Sequence, residues 1–180
     1  MCDEYAVDAA AHYRQLLQLG KAEFLASAAP AALVRYRTEL PDPGASGGST
    51  VTIESDYDED AIEETLPYGK DLPEEIDLEL YPLAKKPGAS FPDRITIGRT
   101  ANNDLAINDT SISRLHAYIR RDRDGWVVAD AGSKNGSWLL GAALEARKER
   151  PLQSRAILRL GDVDLTFYSA ADLFGALGGA

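Results

Sequence analysis

Apolar residues near the start of the chain recur at helical spacing. Between residues 4 and 28, Tyr5, Ala9, Tyr13, Leu16, Leu17, Phe24 and Leu25 fall near a period of about 3.6, and Gly20 breaks the run. Pro30 ends it. The stretch "ALVRYRTEL" then alternates Leu33, Arg35 and Arg37 against Val34, Tyr36 and Thr38, which predicts a short strand, with helix as the alternative. "PDPGASGGST" has the composition of a turn or linker. Residues 54–79 are acidic, show no periodicity and hold few large apolar side chains. The expectation there is a flexible stretch, or one draped over a surface.

From about Leu78 the pattern changes to short alternating runs with turn punctuation. "ITIGR" alternates Ile95 and Ile97, "DLAI" pairs Leu105 with Ile107, and "HAYIRR" leads through a charged turn into "GWVVADA". "SKNGSWLLG" carries the tight-turn dipeptide Asn135-Gly136 ahead of the next run. "AILRLGDVDLTFY" predicts a hairpin with Val163, Leu165 and Phe167 on one face. Strands this short and this closely spaced predict an all-β sandwich rather than βαβ units. The closing "ADLFGALGGA" is expected to be a short helix that frays into a tail. Trp126 and Trp138 are expected in the core rather than as ligand platforms.

Composition narrows the function classes. A chain of 180 residues, 44% apolar and 27% charged, can bury one good core and a small appendage. No apolar run approaches the roughly eighteen residues that span a bilayer. The opening "MCDEYAVDAA" lacks the basic segment of a secretory leader, and Cys2 is the only cysteine, so a cytoplasmic location without disulfides is expected. The net charge of −10 is uneven: residues 1–90 hold 7 Lys/Arg and 18 Asp/Glu (−11), and residues 91–180 hold 12 and 11 (+1). Such an acidic chain repels nucleic acid and anionic membranes, so neither is an expected partner. The near-neutral second half leaves room for a local basic pocket.

The stretch "SISRLHAYI" raises three chemical readings, since it sets Ser113, Arg114 and His116 within four residues. Ser113, His116 and Asp130 are the residue types of a hydrolase triad, but the sharp G-x-S-x-G elbow that exposes a nucleophile is missing. A metal site would need more ligands than His12, His116 and Cys2 offer, and "DYDEDAIEE" lacks the glycine and terminal glutamate of an EF-hand loop. The expectation is therefore no catalytic residue, no metal and no cofactor. An anion pocket uses more of the residues. Arg99, Ser113 with Arg114, and Lys134 with Asn135 all fall in loops at strand ends. A phosphate wants a bidentate guanidinium, a hydroxyl or backbone donor, and a further cation.

"IGR", "NDLAINDTSISRLHA" and "VVADAGSKNGSWL", followed by "LRLGDVDLTF", resemble the forkhead-associated (FHA) domain in their G-R, S-x-x-H and N-G motifs at these separations. The resemblance runs from about Leu78 to Tyr168. It implies an eleven-stranded β-sandwich whose loops at one end recognise phosphothreonine peptides. Carried over, Arg99 pairs with the phosphate and Ser113 donates its hydroxyl to it. Arg114 stands at another usual phosphate contact, and Asn135 bonds the backbone of the ligand. Lys134 stands where the family often has threonine and adds charge. His116 is read as a structural brace that ties the loop and presents Ser113, while Gly98 and Gly136 supply backbone that a side chain would obstruct.

The expected organisation is an all-β, FHA-type β-sandwich with a small, mainly helical N-terminal segment and an acidic linker. The boundaries read 1–50 for that segment, 51–77 for the linker, 78–170 for the FHA domain and 171–180 for a C-terminal tail. The function implied is non-catalytic, phosphothreonine-dependent protein binding. The expected partners are a Thr-phosphorylated protein or peptide and a Ser/Thr protein kinase. The alternative is an FHA fold with an unused pocket that serves as a structural or assembly module; a Ser/His hydrolase is the remote third. Thr65, in "DEDAIEETLPYG", is a candidate regulatory phosphosite that could enter the pocket of its own domain.

Overall fold

The computed structural model describes residues 3–37, 77–88 and 90–179. The helical pattern resolves into α1 (Asp3–Gln18) and α2 (Lys21–Ser27), separated by Gly20 at φ 94°. Eleven strands follow: β1 (Ala31–Arg37), β2 (Asp77–Pro82), β3 (Ile95–Gly98), β4 (Leu105–Ala106), β5 (Ala117–Arg121), β6 (Trp126–Asp130), β7 (Ser137–Leu139), β8 (Ala142–Ala143), β9 (Arg150–Leu152), β10 (Ile157–Leu160) and β11 (Val163–Ser169). A helix, α3 (Ala170–Ala176), closes the described chain. The strands form a six-stranded sheet in the order β2-β1-β11-β10-β7-β8 and a five-stranded sheet in the order β4-β3-β5-β6-β9.

Alternation decides what lies between the sheets. In β10, Leu158 and Leu160 are buried while Ile157 and Arg159 are exposed; in β11, Val163, Leu165 and Phe167 point inward. They meet Ile97 and Ile119 of the facing sheet in one apolar cluster. Trp126 packs on that cluster, edge-on to Phe167 at 5.8 Å. Trp138 does not join it. Its indole stays partly exposed on the outer face of β7, opposite Arg159 in register.

Strand β1 changes the expected boundaries. It lies between β2 and β11, pairing Ala32↔Pro82 through Arg37↔Asp77 on one side and Ala31↔Ser169 through Val34↔Thr166 on the other. Residues 31–37, read from sequence as part of a separate N-terminal segment, are thus an interior strand of the sandwich. Ala31 to Val34 are buried on both faces. Leu33 faces the inter-sheet core, and Ala32 and Val34 face a second core with Leu78 and Leu80. That second core is roofed by Tyr13 and Leu16 of α1, Phe24 of α2, and Leu173 and Phe174 of α3. Phe24 contacts Tyr13 at 5.6 Å and Phe174 at 5.3 Å, both edge-to-face.

The C-terminal residues are anchored rather than frayed. Ser169 caps α3, accepting the Asp172 N–H at 3.3 Å and donating its hydroxyl to the Asp172 carboxylate at 2.9 Å. Leu173 and Phe174 are then buried, each worth about 1.5–3 kcal/mol by removal from water. Residues 38–76, which hold the acidic stretch and Thr65, lie outside the described residues.

Candidate functional site

The residues singled out from sequence converge at one end of the sandwich, and backbone hydrogen bonds bring them there. Arg99 follows β3, and its N–H donates to the Ser113 carbonyl at 2.9 Å. Lys134, in the loop after β6, donates its N–H to Ser113 Oγ at 2.9 Å. The Asn135 amide donates to the Ser111 carbonyl at 2.7 Å. Three loops, 99–104, 107–116 and 131–136, are therefore laced around Ser113. With Oγ accepting from Lys134, the hydroxyl proton of Ser113 is left to donate outward. Asn135 keeps its carbonyl oxygen and one N–H for a ligand.

Among the described residues, the cations of the site have no counter-ion. Arg99, Arg114, Lys134 and Asn135 are exposed and Ser113 is half-buried. Among the described residues, no ion pair or side-chain hydrogen bond engages the charged groups of Arg99, Arg114 or Lys134. Some cations elsewhere are paired, as with Lys85–Asp104 at 2.8 Å and Arg94–Asp93 at 2.7 Å. Three unpaired cations around a donating hydroxyl form an anion-attracting surface.

His116 sits beneath this surface with no exposure. Its Nδ1 accepts the Ser113 N–H at 3.0 Å, so the ring proton resides on Nε2, which donates to the Gly136 carbonyl at 2.9 Å. One imidazole thereby joins the Ser113 loop to the Asn135-Gly136 turn, the role expected of it. Burial pushes its pKa below the ordinary histidine value, against the opposing pull of the Gly136 carbonyl and the Asp130 charge. The neutral ring is the form that can accept from Ser113.

The two glycines act differently. A Cβ on Gly98 would lie 2.2 Å from the Arg114 carbonyl oxygen and 2.7 Å from Asn103 Nδ2, so the strand and the loop approach as closely as they do only without a side chain. Gly136 has φ 86°, the left-handed region, and a Cβ there would crowd the Trp138 ring at 3.1 Å.

Two loop organisers escaped the sequence reading. Asn103 is buried and donates from Nδ2 to the carbonyls of Arg114 at 2.6 Å and Thr100 at 2.8 Å, which pins the Arg114 backbone. Asp130, weighed from sequence only as a triad member, collects four donors: the N–H groups of Gly132 and Ser133 and the hydroxyls of Ser133 and Ser137. Burial raises its pKa, but these bonds outweigh it and hold the carboxyl below the usual carboxylate range. The spacing of Asp130 ahead of Gly132 and Ser133 is the signature of an Asx turn and was available in the sequence. No triad is assembled. His116 takes the backbone N–H of Ser113 rather than its hydroxyl, and its other nitrogen bonds Gly136 rather than Asp130.

A two-sheet sandwich thus gathers cations and a presented hydroxyl at one loop end. The chain belongs to the FHA domain family. The family model matches residues 95–161. The FHA domain of an Arabidopsis thaliana hypothetical protein, solved in solution, is 32% identical over 52% of this chain and 74% of that one, with a TM-score of 0.42. Among curated proteins, an FHA domain-containing protein of Arabidopsis thaliana is 36% identical over 43% of this chain and 19% of its own length. The oxoglutarate dehydrogenase inhibitor of Corynebacterium diphtheriae is 33% identical over 40% of this chain and 48% of its own. The chain thus spans about half or less of these curated relatives. The N-terminal FHA domain of Rad53p from S. cerevisiae, solved with a phosphothreonine peptide, is 22% identical over 53% of this chain and 88% of that one, with a TM-score of 0.44. FHA domains are binding modules. No helix among the described residues is long and apolar enough to cross a membrane.

Proposed function

We propose that this protein binds Thr-phosphorylated proteins through the loop end of its FHA domain, without catalysis, downstream of a Ser/Thr kinase in the cytoplasm. The observation that carries the reading is the state of Ser113. Its Oγ is occupied as an acceptor by Lys134 N–H, its proton is free to donate, and Arg99, Arg114 and Lys134 lie in the loops around it without counter-ions among the described residues. A phosphate dianion uses all of these groups. Arg99 pairs with the phosphate, Ser113 and Arg114 bond it, Lys134 adds charge, and Asn135 holds the peptide backbone. His116, Gly98 and Gly136 keep the loops in register. The buried residues Tyr13, Leu16 and Phe24 of the N-terminal helices cover the protein's own sheet.

Titration of a degenerate phosphothreonine peptide pool against its unphosphorylated counterpart tests the reading. Charge-assisted hydrogen bonds are worth about 1.5–3 kcal/mol each, so Arg99→Ala should weaken phosphopeptide binding at least about tenfold. Among the described residues the Arg99 side chain holds nothing else in place, so the melting temperature should not move. Equal affinity of Arg99→Ala and wild type for the phosphopeptide would remove this pocket from consideration.

A further inference from the structure

One turn of the molecule is strained and exposed at once. Leu140 and Gly141, at φ 50° and 79°, join β7 to β8, with Leu139 and Ala142 paired on either side. A two-residue hairpin turn with both central residues in the left-handed region is of type I′, which favours Asn-Gly because those residues tolerate that backbone. Leucine does not, and Leu140 is 67% exposed. Backbone and solvent both disfavour leucine at this tip, and no contact among the described residues buries it in compensation. An outlier of this kind points to a role outside the fold.

The tip has apolar neighbours. The Leu140 N–H donates to the Ile157 carbonyl at 2.9 Å, and Ile157 is 53% exposed. Trp138 lies two positions back along β7, on the outer face and opposite exposed Ala143 in register. The helices roof the β2-β1-β11 side of this sheet, so among the described residues the β10-β7-β8 side is left uncovered. Beside Leu140 an open groove of about 530 Å³ is lined by Trp138, Gly141, Ile157 and Gly161, together with Arg159 and Asp164. Leu140 is not one of its walls. Arg159 is matched by Asp164 at 3.7 Å, so the groove does not call for a strongly charged occupant.

We infer that two copies of this chain associate through the open β10-β7-β8 face, about a two-fold axis that sets Leu140 of each protomer in the Trp138–Ile157 groove of the other. An isologous contact requires one surface to be complementary to itself. This face carries both halves, a protruding leucine and beside it an apolar groove that the leucine does not fill. A different protein would need only one of them. Charge points the same way. Residues 91–180, which include every residue of the face, hold 12 Lys/Arg and 11 Asp/Glu of a chain whose net charge is −10, so copies meet here with the least repulsion. Three strands at about 4.8 Å spacing offer a few hundred Å² per copy, below the roughly 800 Å² of a standard interface, so the pair is weak and reversible.

Sedimentation velocity on the full chain, from about 1 μM to about 1 mM, tests this without any phosphopeptide, so its outcome is independent of the proposed function. Wild type should pass from monomer to dimer with a midpoint on the order of 100 μM. Leu140→Asn keeps the turn, because asparagine accepts the left-handed backbone, and should raise that midpoint at least about tenfold while the melting temperature of the dilute protein stays or rises. Ile157→Thr, in the groove, should raise it by a similar factor. Leu19→Gln, at a leucine equally exposed (65%) but on the helical side, should leave it unchanged. A wild type that stays monomeric throughout would overturn the inference and leave the face to a different protein. Dimers undiminished by Leu140→Asn and Ile157→Thr, or weakened as much by Leu19→Gln, would overturn it as well.

Discussion

Replacing His116 with alanine tests whether the imidazole is a brace or a ligand contact. The ring is fully buried and makes two hydrogen bonds, one from Ser113 N–H and one to the Gly136 carbonyl. In the variant the Gly136 carbonyl keeps a second partner, Gly161 N–H at 3.0 Å, but Ser113 N–H loses its acceptor. An orphaned donor of this kind costs about 1–3 kcal/mol, and the emptied ring volume adds about 1 kcal/mol. A loss of about 2–4 kcal/mol in a chain of this size should lower the melting temperature by about 4–16 °C. Phosphopeptide affinity should fall with it, because the Ser113 loop is no longer tied to the Asn135-Gly136 turn. Ser113→Ala removes only the acceptor of Lys134 N–H, at an exposed position, and should weaken binding with little change in melting. Differential scanning calorimetry and peptide titration on both variants give the comparison. A His116→Ala protein that melts within about 2 °C of wild type would refute the brace.

The same residue sets a pH dependence. Burial lowers the pKa of His116, so as pH falls the unfolded chain takes up this proton before the folded one does. Stability from the neutral ring is fully present above about pH 6.5 and declines as pH drops below it toward the folded-state value. Asp104 and Asp130 are held below the usual carboxylate range, so their contributions are lost only in a more acidic window, below about pH 4. The urea midpoint of wild type should therefore decrease as pH falls below about 6.5, and that decrease should be absent in His116→Ala.

Two further outcomes are expected. Gly98→Ala should cost about 1–3 kcal/mol or more, because the new methyl meets the Arg114 carbonyl and the Asn103 amide and must push apart the two segments that carry Arg99 and Arg114; an unchanged urea midpoint would show that the close approach is not required. A chain beginning at residue 78 loses β1 and with it the pairings to both β2 and β11, so it should lack a cooperative melt, whereas a transition as sharp as that of the full chain would make β1 dispensable.

What the sequence disclosed and what it withheld follow a physical division at this site. The groups proposed to meet a ligand, exposed Arg99, Arg114, Lys134 and Asn135 and half-buried Ser113, are polar residues in loops beside recognisable strands, and residue type, spacing and family resemblance single them out as candidates. The brace was legible too, because an S-x-x-H spacing lets one ring reach its own loop. The remaining scaffolding depends on contacts between distant segments. Whether Asn103 caps Thr100 alone or also pins Arg114, 11 residues on, is decided by tertiary structure. Strand β1 reads as a strand, but its partners begin at Asp77 and at Val163, and no local pattern states which edge of which sheet it joins. Trp138 alternates like a core residue, yet the helical layer roofs only the β2-β1-β11 side, so on β7 the outward position remains at the surface. The loops are held by buried groups whose hydrogen bonds are all internal: neutral His116, Asn103, and Asp130 with its four donors. The cations above them have no partner among the described residues. An ordered backbone beneath unpaired charge reduces the ordering that a ligand must impose on binding.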